Sequence, residues 1–402
     1  MYRVYIFLLG LSILLSSVMD NFFLYIGLNI PFSLVTITLL LLTIVSLILR
    51  NLPIFKYQKF LIYYLLLLVS IVPITLLNTT YNISSDYLLY YARVVQIFVI
   101  LLSFHMFVNF VNLTFFINVN LLIYYTFSII YVALVLNTGI LDRPEGVLVI
   151  SDTIAIIGII FFVTAKHNEF KYIGLLASFL LLLLYNSFTS ITCFVIVVGI
   201  YFTYLSIVSK KALLKLFSIL FLIIIIILSL SFYMTISYRV VQLSGNSSFV
   251  TSVNKYLTRL HYVLKFQDGS LQERIVQFQK GIDVLREKPV FGEFLYEYRL
   301  FGNMGSYVHN ILSYWLEYGL INFLLIFVPY FVYLVKSYRY FRRYGDKMLE
   351  GLFFSGVYVT LTLVLSRSYI FMTFWIHYAL TISYVMKFER ELKANTKIHT
   401  QR

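Results

Sequence analysis

One histidine in this sequence is well placed for proton transfer. His309 and Asn310 stand directly before a long apolar run and follow the polar, small-residue segment Gly-Asn-Met-Gly-Ser-Tyr-Val. Because an unperturbed imidazole titrates near neutral pH, a histidine in this position is suited to accept a proton from a hydroxyl group. A lone histidine at the end of an apolar run also has a purely structural explanation, and both interpretations stay open here.

The arginines predict a second kind of chemistry, the binding of a diphosphate. Guanidinium groups bind phosphate oxygens bidentately and stay charged when partly desolvated. The charge pattern of the loops places four arginines near one face of a membrane: Arg93, Arg143, Arg274 and Arg367. Arg93 could instead extend to the interface from inside its span. Arg143 stands beside Asp142 and Glu145, so a surface ion pair is an alternative there, as it is for Arg367.

Other catalytic and metal-binding motifs are missing from the sequence. It contains no glycine-rich phosphate loop with its lysine, no His-Glu-x-x-His, no Asp-x-Asp pair and no Cys/His cluster with zinc spacing. The single cysteine, Cys193, lies in an apolar run, which excludes an intrachain disulfide. We therefore expect no metal site and no other cofactor.

Composition identifies the class of protein that must position these residues. The chain is 61% hydrophobic and 12% charged, with a mean hydropathy of +0.89. These values predict an all-α polytopic membrane protein. The net charge of +14 does not indicate nucleic-acid binding, because basic residues in the short loops between spans normally set the orientation in the membrane.

Apolar runs of about the length that crosses the hydrocarbon recur along the whole chain. They predict about twelve transmembrane helices in a single membrane domain, 1–402. The predicted spans are 4–19, 32–49, 60–77, 87–106, 114–136, 148–165, 172–186, 190–208, 216–235, 307–335, 350–365 and 370–387. The turn at Asn186 and Ser187 is weakly marked, so the boundary between the seventh and eighth spans is the least certain one.

Basic residues predict the orientation of these spans. Placing the N-terminus in the cytoplasm leaves only Arg143 and Arg367 as basic residues in the short outer loops. Both termini are therefore expected in the cytoplasm. The long loop between the ninth and tenth spans, residues 236–306, is expected to face outward.

That long loop has the pattern of amphipathic helices rather than of a linker. Two stretches have helical periodicity, one at Leu257, Leu260 and Leu264 and the other at Ile275, Phe278, Ile282 and Leu285. Pro289 is expected to stop the second helix and Gly292 to form a turn. We expect these helices to lie on the outer membrane surface or to cap the bundle, with Lys255, Arg259, Lys265 and Lys280 near lipid headgroups. The alternative is a solvated loop without a role.

The order of motifs in this region resembles that of the O-antigen polymerase (Wzy) and O-antigen ligase superfamily. The resemblance rests on Arg274, an amphipathic helix, Pro289-Val290-Phe291-Gly292, His309-Asn310-x-Leu312 and Glu317-Tyr318-Gly319-Leu320-Ile321. Arg143-Pro-Glu-Gly146 is similar to the Arg-x-x-Gly that precedes a span in this superfamily. The match covers about 50 residues closely and the topology of the chain loosely.

The resemblance implies a GT-C-like architecture and a metal-independent glycosyltransferase in the bacterial inner membrane, with its active site facing the periplasm. Donor and acceptor would be undecaprenyl-diphosphate-linked glycans, and a chain-length regulator protein is a further implied partner. His309 would accept the proton of the attacking hydroxyl, and Arg274, helped by Arg143 and by Arg93 or Arg367, would stabilise the departing diphosphate. Asn310 and Tyr307 would position sugar hydroxyls.

Three alternative functions remain open. A ligase would transfer the glycan to lipid A core; loop layout and length favour the polymerase. A lipid-linked oligosaccharide flippase or other transporter should have two similar halves with interrupted helices. The sequence shows no repeat between its halves, and the single long loop breaks such symmetry. A structural scaffold would explain the bundle but not the surroundings of His309.

Overall fold

The computed structural model describes residues 3–13, 38–40, 42–43, 45, 84–138, 147–185, 187–208, 269–301, 308, 310–367 and 371–400. All regular secondary structure within these ranges is helical, and they contain no strand. The helices are α1 (Arg3–Ile13), α2 (Ser84–Phe110), α3 (Leu113–Thr138), α4 (Val147–Thr164), α5 (Asn168–Leu184), α6 (Phe188–Val208), α7 (Gly269–Glu287), α8 (Tyr296–Phe301), α9 (Leu312–Tyr344), α10 (Lys347–Leu365) and α11 (Met372–Thr400).

Three described helices are long and apolar enough to cross a membrane: Phe188–Leu205, Leu312–Tyr344 and Lys347–Leu365. A fourth joins them if the pair Val95–Phe110 and Leu113–Ile123, which is bent by 120°, counts as one span. The described part is therefore that of a helical membrane protein. The predicted spans 60–77 and 216–235 lie outside the described residues.

Hydropathy predicted the positions of these helices well. The weakly marked turn after the seventh span is confirmed, since α5 ends at Leu184 and α6 begins at Phe188. Pro289 follows the end of α7 closely, as expected of a residue that cannot donate a backbone hydrogen bond. Two helices extend well past their predicted ends, because α9 continues to Tyr344 and α11 to Thr400 with polar C-terminal turns that hydropathy does not detect.

Small residues let the central helices approach closely. Gly351 of α10 lies against Ile160 of α4, and Gly356 of α10 lies against Leu334 of α9. In a membrane, where no hydrophobic force drives helices together, such close van der Waals contacts are a main source of association. They hold α4, α9, α10 and α11 as the bundle that positions the candidate site.

Buried polar side chains also join these helices. His377 of α11 lies with its Nε2 2.9 Å from Ser355 Oγ and 3.1 Å from the Leu352 carbonyl oxygen, both on α10. Its Nδ1 lies 3.2 Å from the hydroxyl of Tyr330 on α9. Both ring nitrogens of this buried histidine thus have partners, as a polar group away from water requires.

Candidate functional site

A turn formed by Pro289–Gly292 is docked on α9, and we call it the docked turn. The Leu320 amide donates to the Val290 carbonyl at 2.8 Å, and the Glu293 amide donates to the Leu316 carbonyl at 2.7 Å. The indole Nε1 of Trp315 donates to the Pro289 carbonyl at 2.7 Å. These bonds join the Pro-x-x-Gly and Glu-x-Gly pieces of the sequence motif directly to each other.

Two glycines make this docking sterically feasible. Gly292 and Gly319 have φ values of 65° and 78°. A side chain at Gly319 would place its first carbon 2.7 Å from the Phe291 carbonyl oxygen, and one at Gly292 would meet the Trp315 carbonyl oxygen at 2.6 Å. Only glycine combines these backbone angles with this close approach. Gly319 also kinks α9, because its φ and ψ of 78° and 166° are not helical.

The docked turn fixes α7 against the first part of α9. Gly281 packs against the side chains of Val308 and Leu316, while Gln277 and Val284 are buried on the same face of α7. Arg274 lies two helical turns before Gly281 and therefore on this same face, and it is half-buried. The face that carries Arg274 is thus packed beside Val308, the residue that precedes His309.

The predicted apolar stripe of α7 is divided between two environments. Leu285 is buried and Ile282 half-buried, whereas Ile275 and Phe278 are exposed. Periodicity identified the helix but not its packed face, because Gln277 and Gly281 are not counted as hydrophobic. Lys280, expected near headgroups, lies 5.3 Å from the ring centroid of Phe301.

Asn310 lies just before the start of α9. Its Oδ1 accepts from the Leu312 amide at 2.9 Å, and its carbonyl oxygen accepts from the Ser313 hydroxyl at 2.8 Å. The first of these bonds closes an Asx turn that satisfies the first backbone amide of α9, while Ile311 occupies the N-cap position. Because Oδ1 accepts from the Leu312 amide, the predicted contact of Asn310 with sugar hydroxyls would be made by its amide Nδ2.

Four of the other predicted site residues give no side-chain geometry. His309, Tyr307 and Arg143 lie outside the described residues. Arg93 lies in α2, but its side chain is outside the described part of the chain. Of the predicted constellation, the structure therefore positions the side chains of Arg274, Asn310 and Arg367.

Arg367 is buried, with only 2% of its side chain exposed, and forms an ion pair with Asp152. Its Nε lies 2.7 Å from Asp152 Oδ2, its Nη2 donates to Ser190 Oγ at 2.9 Å and its Nη1 donates to Ser366 Oγ at 2.9 Å. The guanidinium also lies 4.9 Å from the ring centroid of Phe371. A diphosphate could reach this guanidinium only if the ion pair opened.

Asp152 is the centre of this network. Its Oδ1 accepts from the hydroxyl of Ser190 at 2.6 Å and from the hydroxyl of Tyr358. Burial lowers the pKa of Arg367, but the charge of Asp152 and its hydrogen bond outweigh burial and raise the pKa above its ordinary value. The hydrogen bonds and the ion pair join α4, α6 and α10 with the segment that follows α10.

Sequence reasoning missed Asp152 and the buried acid Glu293. The signal for Asp152 was available, since an ionisable residue inside a predicted span is costly and needs a partner. Glu293 and Glu317 are both buried, and the Glu293 amide is bonded to the carbonyl of Leu316, which directly precedes Glu317. Lys288 Nζ lies 3.6 Å from Glu293 Oε2. These two buried acidic side chains thus lie close to the docked turn.

No cluster of three or more histidine, cysteine or acidic residues that could hold a metal ion occurs among the described residues. A comparison with models of known protein families finds no match, and neither does a comparison with curated proteins.

Proposed function

We propose that this protein is an O-antigen polymerase, a glycosyltransferase that joins undecaprenyl-diphosphate-linked repeat units in lipopolysaccharide biosynthesis. It would act at the periplasmic face of the bacterial inner membrane, with about twelve spans and both termini in the cytoplasm. The observation that carries the proposal is the docked turn. It joins the motif pieces Pro289–Gly292 and Gly319 and packs the face of α7 that carries Arg274 beside Val308.

The reaction moves the growing glycan from its lipid diphosphate to a sugar hydroxyl of a new lipid-linked repeat unit. The hydroxyl oxygen attacks the anomeric carbon, and the bond from that carbon to the diphosphate oxygen breaks. His309 takes the hydroxyl proton, and the departing diphosphate keeps the bonding electrons. Direct displacement of this kind inverts the anomeric centre.

Arginine side chains would stabilise the charge that develops on the diphosphate. Arg274 has the main role, because its half-buried position on the packed face of α7 lets a guanidinium act where water is partly excluded. Arg143 and Arg93 would assist, and Arg367 would do so only with its Asp152 pair opened. Tyr307 and Asn310 would hold sugar hydroxyls.

Deletion of the gene tests the proposal through the glycans that accumulate. We expect lipid A core carrying one repeat unit, together with single lipid-linked repeat units on the outer face of the membrane. Core without any repeat, alongside long lipid-linked chains, would indicate a ligase instead. Accumulation of repeat units on the inner face would indicate a flippase.

His309→Ala, expressed in the deletion strain, tests the assigned base. We expect long chains to be lost at an unchanged protein level. His167→Ala is the matched control, because His167 is exposed at the start of α5 without a side-chain capping bond. A normal ladder of chain lengths from the His309 variant would exclude the assigned role.

A further inference from the structure

The face of α9 that points away from the bundle is a continuous apolar stripe. Its exposed members recur at helical spacing and are Ile321, Leu324, Val328, Val332 and Val335. The stripe ends where basic side chains begin, at Lys336, Arg339, Arg342 and Arg343. A helix face of this kind is the lipid-facing surface of a membrane span, with its cationic end at one headgroup layer.

The length of this face locates the opposite boundary of the hydrocarbon. Residues from Leu320 to Arg339 rise about 30 Å at 1.5 Å per residue, which is about the thickness of the hydrocarbon core. The kink at Gly319 therefore lies at the boundary opposite the basic residues. The docked turn, whose Val290 carbonyl accepts from the Leu320 amide, lies at the same depth.

The docked turn exposes apolar side chains at this depth. Val290 is 44% exposed and Phe291 55% exposed. On α7 the exposed Ile275 and Phe278, at 44% and 39%, lie beside the packed face. The far side of α7 is mostly polar, with Gln279, Asp283, Arg286 and Glu287 exposed, and it carries one exposed apolar side chain, Val276.

We propose that Val290 and Phe291, with Ile275 and Phe278 of α7, form a binding surface for phospholipid acyl chains at the edge of the bilayer. The occupant is lipid rather than another protein, because these side chains continue the lipid-facing stripe of α9 where Val290 is bonded to Leu320. The polar far side of α7 then faces headgroups and water, as in an interfacial helix. This surface is independent of the proposed glycosyl transfer and would anchor α7 and the docked turn to the membrane.

Spin labels on the full chain in nanodiscs of phosphatidylcholine and phosphatidylglycerol test this surface. Cys193, the single cysteine, is buried in α6 and is replaced by alanine in the background. One label is placed by Phe291→Cys and a second by Phe278→Cys. Val328→Cys is the lipid reference, and Asp283→Cys, whose native side chain is 65% exposed, is the aqueous reference.

We expect oxygen to relax the labels at positions 291 and 278 more than a water-soluble nickel chelate does, as at position 328. The preference should reverse at position 283. Greater relaxation by nickel at position 291 would overturn the proposal, and so would low accessibility to both reagents, which would mean that protein covers the turn. Val290→Cys gives the same measurement if the Phe291 variant does not fold, and deletion phenotypes have no bearing on either outcome.

Discussion

Gly292 and Gly319 lie on the two sides of one backbone contact. A side chain at either position would clash with the backbone of the segment that carries the other glycine. Both have positive φ values, and both approach carbonyl oxygens of the opposing segment. The contact connects the turn that follows α7 to the kink of α9, a helix long and apolar enough to cross a membrane. The relative position of Arg274 and the start of α9 depends on it.

Gly319→Ala should destabilise the fold by about 2 kcal/mol or more, since this backbone conformation is essentially restricted to glycine and the added carbon meets the Phe291 carbonyl oxygen. Thermal unfolding of the purified chain in detergent micelles measures the effect. Two alanine controls separate its causes. Gly345 has a φ of 71° with nothing within 4 Å, and Gly199 likewise has nothing within 4 Å but no positive φ.

These controls make the outcome decisive. Gly345→Ala should show only the backbone cost, about 1 kcal/mol. Gly199→Ala, within α6, should be neutral or slightly stabilising because alanine favours a helix. If all three variants unfolded at the same temperature, the docked turn would not contribute to stability.

The buried pair of Asp152 and Arg367 should behave as one unit. Asp152→Asn leaves a buried guanidinium without its counter-charge, so we expect a loss of about 3–5 kcal/mol in the free energy of unfolding. Replacing both residues, Asp152→Asn with Arg367→Gln, should cost less than the sum of the single changes. Additive effects in this double-mutant cycle would show that the two side chains do not interact in the folded protein.

Arg274→Lys tests whether the planar guanidinium matters. Lysine keeps the charge but cannot bind phosphate oxygens bidentately, so we expect long glycan chains to be strongly reduced at unchanged stability. Arg286→Lys is the control, because Arg286 lies on the same helix and pairs with Asp283 at 3.2 Å on the exposed face. Full polymer length from the Arg274 variant would mean that a point charge is enough.

Helix positions and helix ends could be predicted from the sequence, whereas contacts between segments that are far apart in the chain could not. Hydropathy placed the described spans, and Pro289 marked the end of α7, because both depend on neighbours in the chain. The ion pair of Asp152 and Arg367 joins residues that are far apart in the sequence, and no periodicity encodes such a contact. The close approach of Gly292 to α9 is likewise a property of two segments, although both glycines stood in the motif.

Asn310 allows the structural role and the substrate role to be separated. Asn310→Asp keeps the oxygen that accepts from the Leu312 amide and adds a negative charge at the N-terminus of α9, so stability should be retained. Asn310→Ala removes the acceptor of the Leu312 amide and should cost about 1 kcal/mol in unfolding free energy. If Nδ2 positions a sugar hydroxyl, the aspartate variant loses chain elongation although it stays folded. Chain lengths that follow unfolding temperature across both variants would instead assign Asn310 to the structural role alone.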